Sequence, residues 1–273
     1  IRIEGNIVDG KSSQPPVVPP GGLPLVGAPR AGDLTVVEEA RRVLADDRAA
    51  AVVVYIDSGG GSATASEAMA AALSRLAERK PVVAAMGPVA ASGGYYVATP
   101  ARWIVAQSGT ITGSIGVLSG KFVLAGLLDR LRFRRETIRR GANVDLYEGE
   151  APFDEAGRAR VLDSIRSIYD VFLDRVAASR HVSREAVDAV GGGRVWTGRQ
   201  ALAHGLVDEL GSLETALARA RALASLSPRA PVVEVVTTKA PLAPVADPTG
   251  LLLHAAETVR LLNQAGALYL CPM

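Results

Sequence analysis

The sequence predicts an α/β domain, and three observations carry that prediction. Residues 51–56 (AVVVYI) and 82–86 (VVAAM) are short apolar runs bounded by chain breakers, the pattern of parallel strands covered on both faces. Each runs into a turn of glycines and other small residues, 57–62 and 87–94, with helical character after it. The length, 273 residues with 48% hydrophobic side chains, supplies one large core or one plus a short appendage. Aromatic residues are only 4%, so that core is built from Ala, Val, Leu and Ile.

The elements follow in order. Ile1–Val8 alternates loosely and reads as a strand, and the proline- and glycine-rich stretch 14–29 as an irregular loop. Asp33 opens a helix with Val36, Val37, Ala40, Val43 and Leu44 at helical spacing. After the 51–56 strand, a helix carries Ala65, Ala68, Met69, Ala72, Leu73 and Leu76 to about Arg79, and Pro81 ends it. Val82–Met86 is the next strand, Gly87–Gly94 turns into a short helix, and Trp103–Ala106 is a third strand. Glu155–Ala178 is a long amphipathic helix, followed by helices over 199–204 and 213–224. The main domain spans 1–227. An extension, 228–273, offers an edge strand at Val232–Val236 and an amphipathic helix at Leu251–Leu262 suited to a membrane or a neighbouring subunit.

Composition excludes several classes. The 30 basic and 28 acidic side chains cancel to +2, which speaks against nucleic-acid binding by bulk charge. One cysteine, Cys271, and three dispersed histidines, His181, His204 and His254, make neither a disulfide framework nor a metal-ligand spacing. No apolar run reaches the roughly 20 residues of a membrane helix. The chain opens at Ile1 without an initiator methionine, as a processed or excised product would.

Gly5–Ser12 fits the pattern G-x-x-x-x-G-K-[ST], but four residues before it and the proline-rich run after it leave no strand and helix to cradle a phosphate. Gly59–Gly61 has Thr64 where a dinucleotide fingerprint needs glycine. Asp57–Gly61 serves better as an oxyanion hole, because glycines after a buried strand present N–H groups with no side chain in the way. A plain tight turn is the competing reading. In Ala90-Ala91-Ser92-Gly93-Gly94-Tyr95 a serine again stands at a strand-to-helix turn among small residues, the layout of a nucleophile elbow. The competing role for Ser92 is an N-cap.

These residues, with Thr112-Gly113-Ser114-Ile115-Gly116-Val117, Val195-Trp196-Thr197-Gly198 and Gly205-Leu206-Val207-Asp208 in the same order, resemble the signal peptide peptidase A (protease IV) family. The resemblance covers about Ile1–Ala224. It implies a ClpP/crotonase-like fold of stacked β-sheets flanked by helices. It also implies a membrane-associated serine peptidase using a Ser–Lys dyad and digesting remnant signal peptides in the bacterial cell envelope, outside the cytoplasm. Carried over by position, Ser92 matches the nucleophile, and Gly60 or Gly61 with Gly93 matches the oxyanion donors. Gly59 departs from the usual proline, and Asp57 stands where asparagine is common. Ser58 and Ser114 are site neighbours, each open between binding substrate and holding a turn.

The base is the larger departure. A serine hydroxyl needs a neighbour to take its proton, and a desolvated lysine can do so. The chain holds only Lys11, Lys80, Lys121 and Lys239. Val144 stands where short-form members carry the catalytic lysine. Long-form members place that lysine on an N-terminal copy of the fold and the serine on a C-terminal copy, and this chain is similar to the second. Lys121 is more simply a solvated lysine than a substitute base, Lys80 lies at the far end of its strand from Ser92, and His204 suits a helix C-terminus. The expected partners are peptide substrates, a membrane surface, and either further copies of this chain or a lysine-bearing N-terminal domain. No metal, cofactor or nucleic acid is implied. A catalytically inactive peptide-binding copy and a crotonase-like acyl-CoA enzyme are the alternatives. The six arginines of 130–140 read as a solvated face, with an anionic-lipid or subunit contact as the rarer role.

Overall fold

Residues 1–14, 29–133, 136, 138–141 and 143–235, with the backbone at 240–241 and 268–269, are described in a computed structural model. The loop at 15–28 and the segment Leu251–Leu262 lie outside the described residues.

The N-terminal run forms two strands, β1 (Arg2–Glu4) and β2 (Asn6–Val8). Gly5, at φ 81°, separates them because any Cβ there would collide with the Pro29 carbonyl oxygen. Next come β3 (Ser13–Gln14), β4 (Arg30–Gly32), α1 (Asp33–Ala45), β5 (Val52–Ser58), β6 (Gly61–Ser62) and α2 (Ala63–Ala77). Then follow β7 (Val82–Ala91), α3 (Gly93–Tyr96), β8 (Trp103–Ala106), β9 (Ile111–Gly113), α4 (Ala125–Arg130) and α5 (Glu155–Arg180). The chain continues through α6 (Arg184–Val190), β10 (Val195–Thr197), α7 (Gly198–Ala203), β11 (Glu209–Leu210) and α8 (Leu213–Leu223), with β12 (Ala240–Pro241) and β13 (Leu268–Tyr269) beyond.

Among the described residues the strands form two sheets. One runs β1-β5-β7-β8-β11 in parallel and adds β9 beside β7 and β10 antiparallel to β9. The other runs β12-β3-β4-β2-β6-β13. This is the α/β fold with stacked sheets expected from the sequence. Both faces of β5 are covered, each in its own way. Val52, Val54 and Ile56 join the main core with Met69, Leu73 and Leu76 of α2, while Val53 and Tyr55 face α8 through Ala216 and Ala220. Each fully buried Val, Leu or Ile side chain contributes about 1.5–3 kcal/mol, so this helix-sheet-helix sandwich is the main source of stability.

β7 is longer than the sequence pattern suggests. It runs straight through Gly87-Pro88, where a turn into a helix is expected, and stops at Ala91. Its first half pairs with β5 and β8; its second half leaves β8 and pairs Val89–Ala91 with Ile111–Gly113 of β9. Pro88, with no N–H to donate, stands exposed where the strand changes partners. The edge strand expected at Val232–Val236 is not formed over 232–235, where Glu234 pairs with Arg2 and Val235 rests on the core.

The Gly205–Asp208 segment has a structural role. Asp208 receives Arg180 at 2.5 and 3.0 Å and the Ile104 N–H at 2.7 Å, and Arg180 also donates to the Gly205 carbonyl at 2.8 Å. The Asp208 and Arg180 side chains are 19% and 10% exposed, so the pair is largely shielded from solvent. Asp208→Asn is expected to cost about 2 kcal/mol in a denaturant melt, the scale of a lost charge-assisted hydrogen bond. No change in stability would mean that water screens the pair.

Candidate active site

The end of β5, the end of β7 and the end of β9 meet at one place. Ser58 is the register partner of Ala90, and Ala91 that of Gly113. The two glycine-rich turns, 58–62 and 92–94, therefore lie side by side. A Cβ built on Gly93 would sit 3.2 Å from the Gly60 Cα and 3.4 Å from the Gly61 nitrogen. One on Gly94 would sit 2.3 Å from the Ser58 carbonyl oxygen, so glycine alone fits there. Gly60, Gly61, Gly93 and Ser92 are brought together as the sequence suggests.

Ser92 stands at the N-terminus of α3 but does not cap it. Its backbone is at φ 54°, ψ −120°, a conformation that costs a non-glycine residue about 1–3 kcal/mol. Its N–H is spent on the Gly113 carbonyl at 2.8 Å. Its Oγ is fully buried and has no hydrogen-bond partner among the described residues. The N-cap alternative therefore fails, because capping would give that oxygen a backbone N–H to accept. A strained backbone and an orphaned buried hydroxyl on one residue are both disfavoured in a merely structural position.

Neighbouring contacts hold this turn from outside. Tyr95 donates to the Leu206 carbonyl at 2.8 Å, and Thr112 to the Ala90 carbonyl at 2.6 Å. Tyr96 packs edge-on against Phe172 and bonds Glu67, which Arg175 also engages. Arg175 reaches the Tyr96 hydroxyl at 3.2 Å as well. Burial pushes both tyrosine hydroxyls up, reinforced at Tyr96 by the Glu67 carboxylate, so neither supplies a phenolate base near neutrality. The raised Tyr95 hydroxyl has a sign that can be checked. Its stabilising effect is complete while both folded and unfolded states are protonated, and is lost as pH rises past the unfolded tyrosine value of about 10. Urea melts between about pH 8 and 11 are expected to show stability falling at the alkaline end. Tyr95→Phe should cost about 1 kcal/mol at neutral pH and flatten part of that fall.

The two site neighbours separate. Ser58 donates to the Gly5 carbonyl at 2.6 Å and accepts from the Gly60 N–H at 3.1 Å, so its hydroxyl holds the turn and occupies the Gly60 donor. Ser114 sits at φ 48° with its N–H on the Arg194 carbonyl at 2.7 Å, next to the glycine that receives the Ser92 N–H. Asp57 bridges to the Val89 N–H at 3.1 Å and steadies the register shift between β5 and β7.

Two of the four lysines are committed elsewhere. Lys80 donates to the Val43 and Asp46 carbonyls at 2.6 and 2.7 Å, closing the C-terminal end of α1. Lys121 donates to the Leu146 carbonyl at 3.0 Å and lies 4.5 Å from the Phe153 ring centroid. Val144 is 51% exposed, His204 caps α7 against Trp196, Lys11 is exposed, and Lys239 lies outside the described residues. The missed features are β10, whose Trp196 closes over Gly113, and Ser66, whose Oγ lies 2.6 Å from a Cβ built on Gly93. Only the small-residue run through 63–66 hints at the second.

Known proteins resemble this chain in sequence. The chloroplastic serine protease SPPA of Arabidopsis thaliana is 42% identical over 165 residues, covering 60% of this chain and 24% of that protein. Protease 4 of Salmonella typhi is 39% identical over 163 residues, 59% of this chain and 26% of that protein. Protease 4 of Haemophilus influenzae is 32% identical over 226 residues, 82% of this chain and 34% of that protein. The chain thus spans about a quarter to a third of these relatives. Peptidase family S49 matches residues 74–227, a stretch that includes Ser92 and Gly93 and follows Gly60 and Gly61. With more than half of its length matched, this chain belongs to peptidase family S49.

Proposed function

We propose that this chain supplies the nucleophile and oxyanion hole of a serine endopeptidase whose general base, a lysine, comes from another domain or subunit. The observation that carries the proposal is the Ser92 hydroxyl, strained, buried and without a partner beside Gly61 and Gly93. The Oγ attacks a peptide carbonyl carbon while the lysine takes its proton. The N–H groups of Gly93 and of Gly60 or Gly61 hold the oxyanion, with Gly61 favoured because the Gly60 N–H is engaged by Ser58. The protonated lysine then gives its proton to the leaving amine, and water hydrolyses the acyl-enzyme.

The substrates are extended apolar peptides, remnant signal peptides among them, bound at the envelope membrane by strand addition. Support comes from β6, whose edge accepts Leu268–Tyr269 as an antiparallel strand, with Leu268 opposite Ser62 and Tyr269 opposite Gly61. An edge that takes one extended segment at the oxyanion turn suits another. The test is cleavage of fluorogenic peptides, apolar against charged, by the assembly that includes the lysine-bearing partner. Apolar peptides should be cut faster, and Ser92→Ala should cut neither. Cleavage persisting in Ser92→Ala would overturn the assignment.

A further inference from the structure

A φ of 54° on a non-glycine residue persists only where its surroundings over-determine it, so the strained Ser92 needs restraint from its neighbours. Two bonds supply it, one on each side of the residue. The Ser92 N–H donates to the Gly113 carbonyl at 2.8 Å, and the Ser92 carbonyl accepts the Tyr96 N–H at 2.8 Å. Tyr96 is anchored in turn by Phe172 and Arg175 of α5 and by Glu67. The Gly113 carbonyl depends instead on the segment that follows it, and residues 114–117 belong to no helix or strand.

A glycine loop between α6 and β10 holds that segment. The Ser114 N–H donates to the Arg194 carbonyl at 2.7 Å, and the Gly193 N–H donates to the Ile115 carbonyl at 2.8 Å. The approach is close: a Cβ on Gly116 would sit 2.9 Å from the Gly193 Cα. Gly192 and Gly193 turn at φ 64° and 78°. Consecutive glycines lose more conformational freedom on ordering than any other run, so the loop must itself be tied down. Tyr169 of α5 ties it. Its hydroxyl donates to the Asp188 carboxylate at 2.6 Å and accepts the Gly192 N–H at 2.9 Å. A Cβ on Gly191 would lie 2.8 Å from that hydroxyl oxygen, so the ring reaches the loop only because glycine leaves room. Burial first, and the Asp188 carboxylate second, push the Tyr169 hydroxyl up to about 12. The proton therefore stays on the side of Asp188, and a lone pair stays turned to Gly192.

We infer that Tyr169 is a positioning residue for the Ser92 nucleophile, acting through the 191–194 loop on the Gly113 carbonyl that receives the Ser92 N–H. The inference rests on the reading of Ser92 as nucleophile. It adds a second anchor to the one at Tyr96. Tyr169, Phe172 and Arg175 follow one another at intervals of three residues, so they lie along one side of α5. That side steadies both bonds of Ser92: Phe172 and Arg175 through Tyr96, and Tyr169 through the glycine loop. Helix α5 is thus a brace behind the elbow, and the loss of the Tyr169 hydroxyl frees one of its two arms.

The experiment compares Tyr169→Phe with wild type in the assembly that includes the lysine-bearing partner, reading kcat and KM on an apolar fluorogenic peptide. Reactive sites are counted by fluorophosphonate titration carried to completion, so turnover is expressed per reactive serine. Phenylalanine keeps the ring and removes both hydroxyl bonds. Turnover per site is expected to fall between about tenfold and a hundredfold, the scale of a nucleophile misplaced by a distant change. KM should stay near the wild-type value, because the substrate edge at β6 is untouched. A purely structural role would instead lower the number of titrated sites and the thermal melt while each remaining site turned over at the wild-type rate, and that result would overturn the inference. A raised KM with kcat kept would also overturn it, since Tyr169 would then serve binding. Cleavage persisting in Ser92→Ala would remove the nucleophile assignment and this inference together, whereas failure in Tyr169→Phe alone leaves that assignment standing.

Discussion

Replacing Ser92 by alanine is expected to abolish peptide hydrolysis and, in the isolated chain, to leave the fold as stable as before or more so. The two effects have one origin. The hydroxyl is buried without a partner, and a buried unsatisfied polar group costs about 1–3 kcal/mol. Alanine removes that cost and keeps the strained backbone, so a gain of about 1 kcal/mol in a urea melt is expected. Ser92→Gly relieves the φ of 54° instead, offset by the greater entropy of an unfolded glycine, and should also gain about 1 kcal/mol. Hydrolysis by the assembly that holds the base should fall at least about 10⁴-fold in either variant. A residue kept for its structural contribution would behave in the opposite way. A loss of stability beyond about 1 kcal/mol in Ser92→Ala would show that the hydroxyl has a structural bond after all.

Gly93→Ala keeps its N–H but presses a methyl on the Gly60–Gly61 backbone, and is expected to lower kcat by up to about 10²–10³, the scale of a misplaced oxyanion donor, with a smaller change in KM. The added methyl would meet the Ser66 Oγ at 2.6 Å and the Gly60 Cα at 3.2 Å. Ser66 is tied to the Ser62 carbonyl at 2.8 Å and can turn away by giving up that bond. The Gly60 backbone has less freedom, because Ser58 holds its N–H and Ile7 donates to its carbonyl at 2.9 Å. Combining Gly93→Ala with Ser66→Ala should therefore recover stability and leave kcat low. Recovery of kcat in the double variant would mean that the methyl acts through Ser66 alone and does not displace the Gly60–Gly61 backbone.

The elbow itself was legible, because small residues packed around one serine at the end of an apolar run admit few other uses. That Ser92 leaves α3 uncapped was not, since capping depends on a φ and ψ that no residue pattern states. Gly87-Pro88 reads as a turn by its local chemistry, yet the neighbouring strands carry β7 across it, with the exposed proline where no ladder donor is needed. The residue pattern leaves Ser58 two roles, and only the fold shows its hydroxyl used twice by the backbone. The Arg180–Asp208 pair joins residues 28 apart on different elements, which local spacing does not reveal. The shortage of lysines was visible from composition alone, and the folded chain adds that Lys80 and Lys121 are already bonded elsewhere.

The central claim is a nucleophile that awaits its base, and intact mass after exposure to a fluorophosphonate tests it most directly. The chain is incubated at a dilution where it is monomeric, beside Ser92→Ala and beside the assembly that carries the lysine. The expected result is no adduct on the chain alone and a single adduct on the assembly, absent in Ser92→Ala. A single adduct on the monomeric chain, lost in Ser92→Ala, would contradict the claim and place the base within these 273 residues.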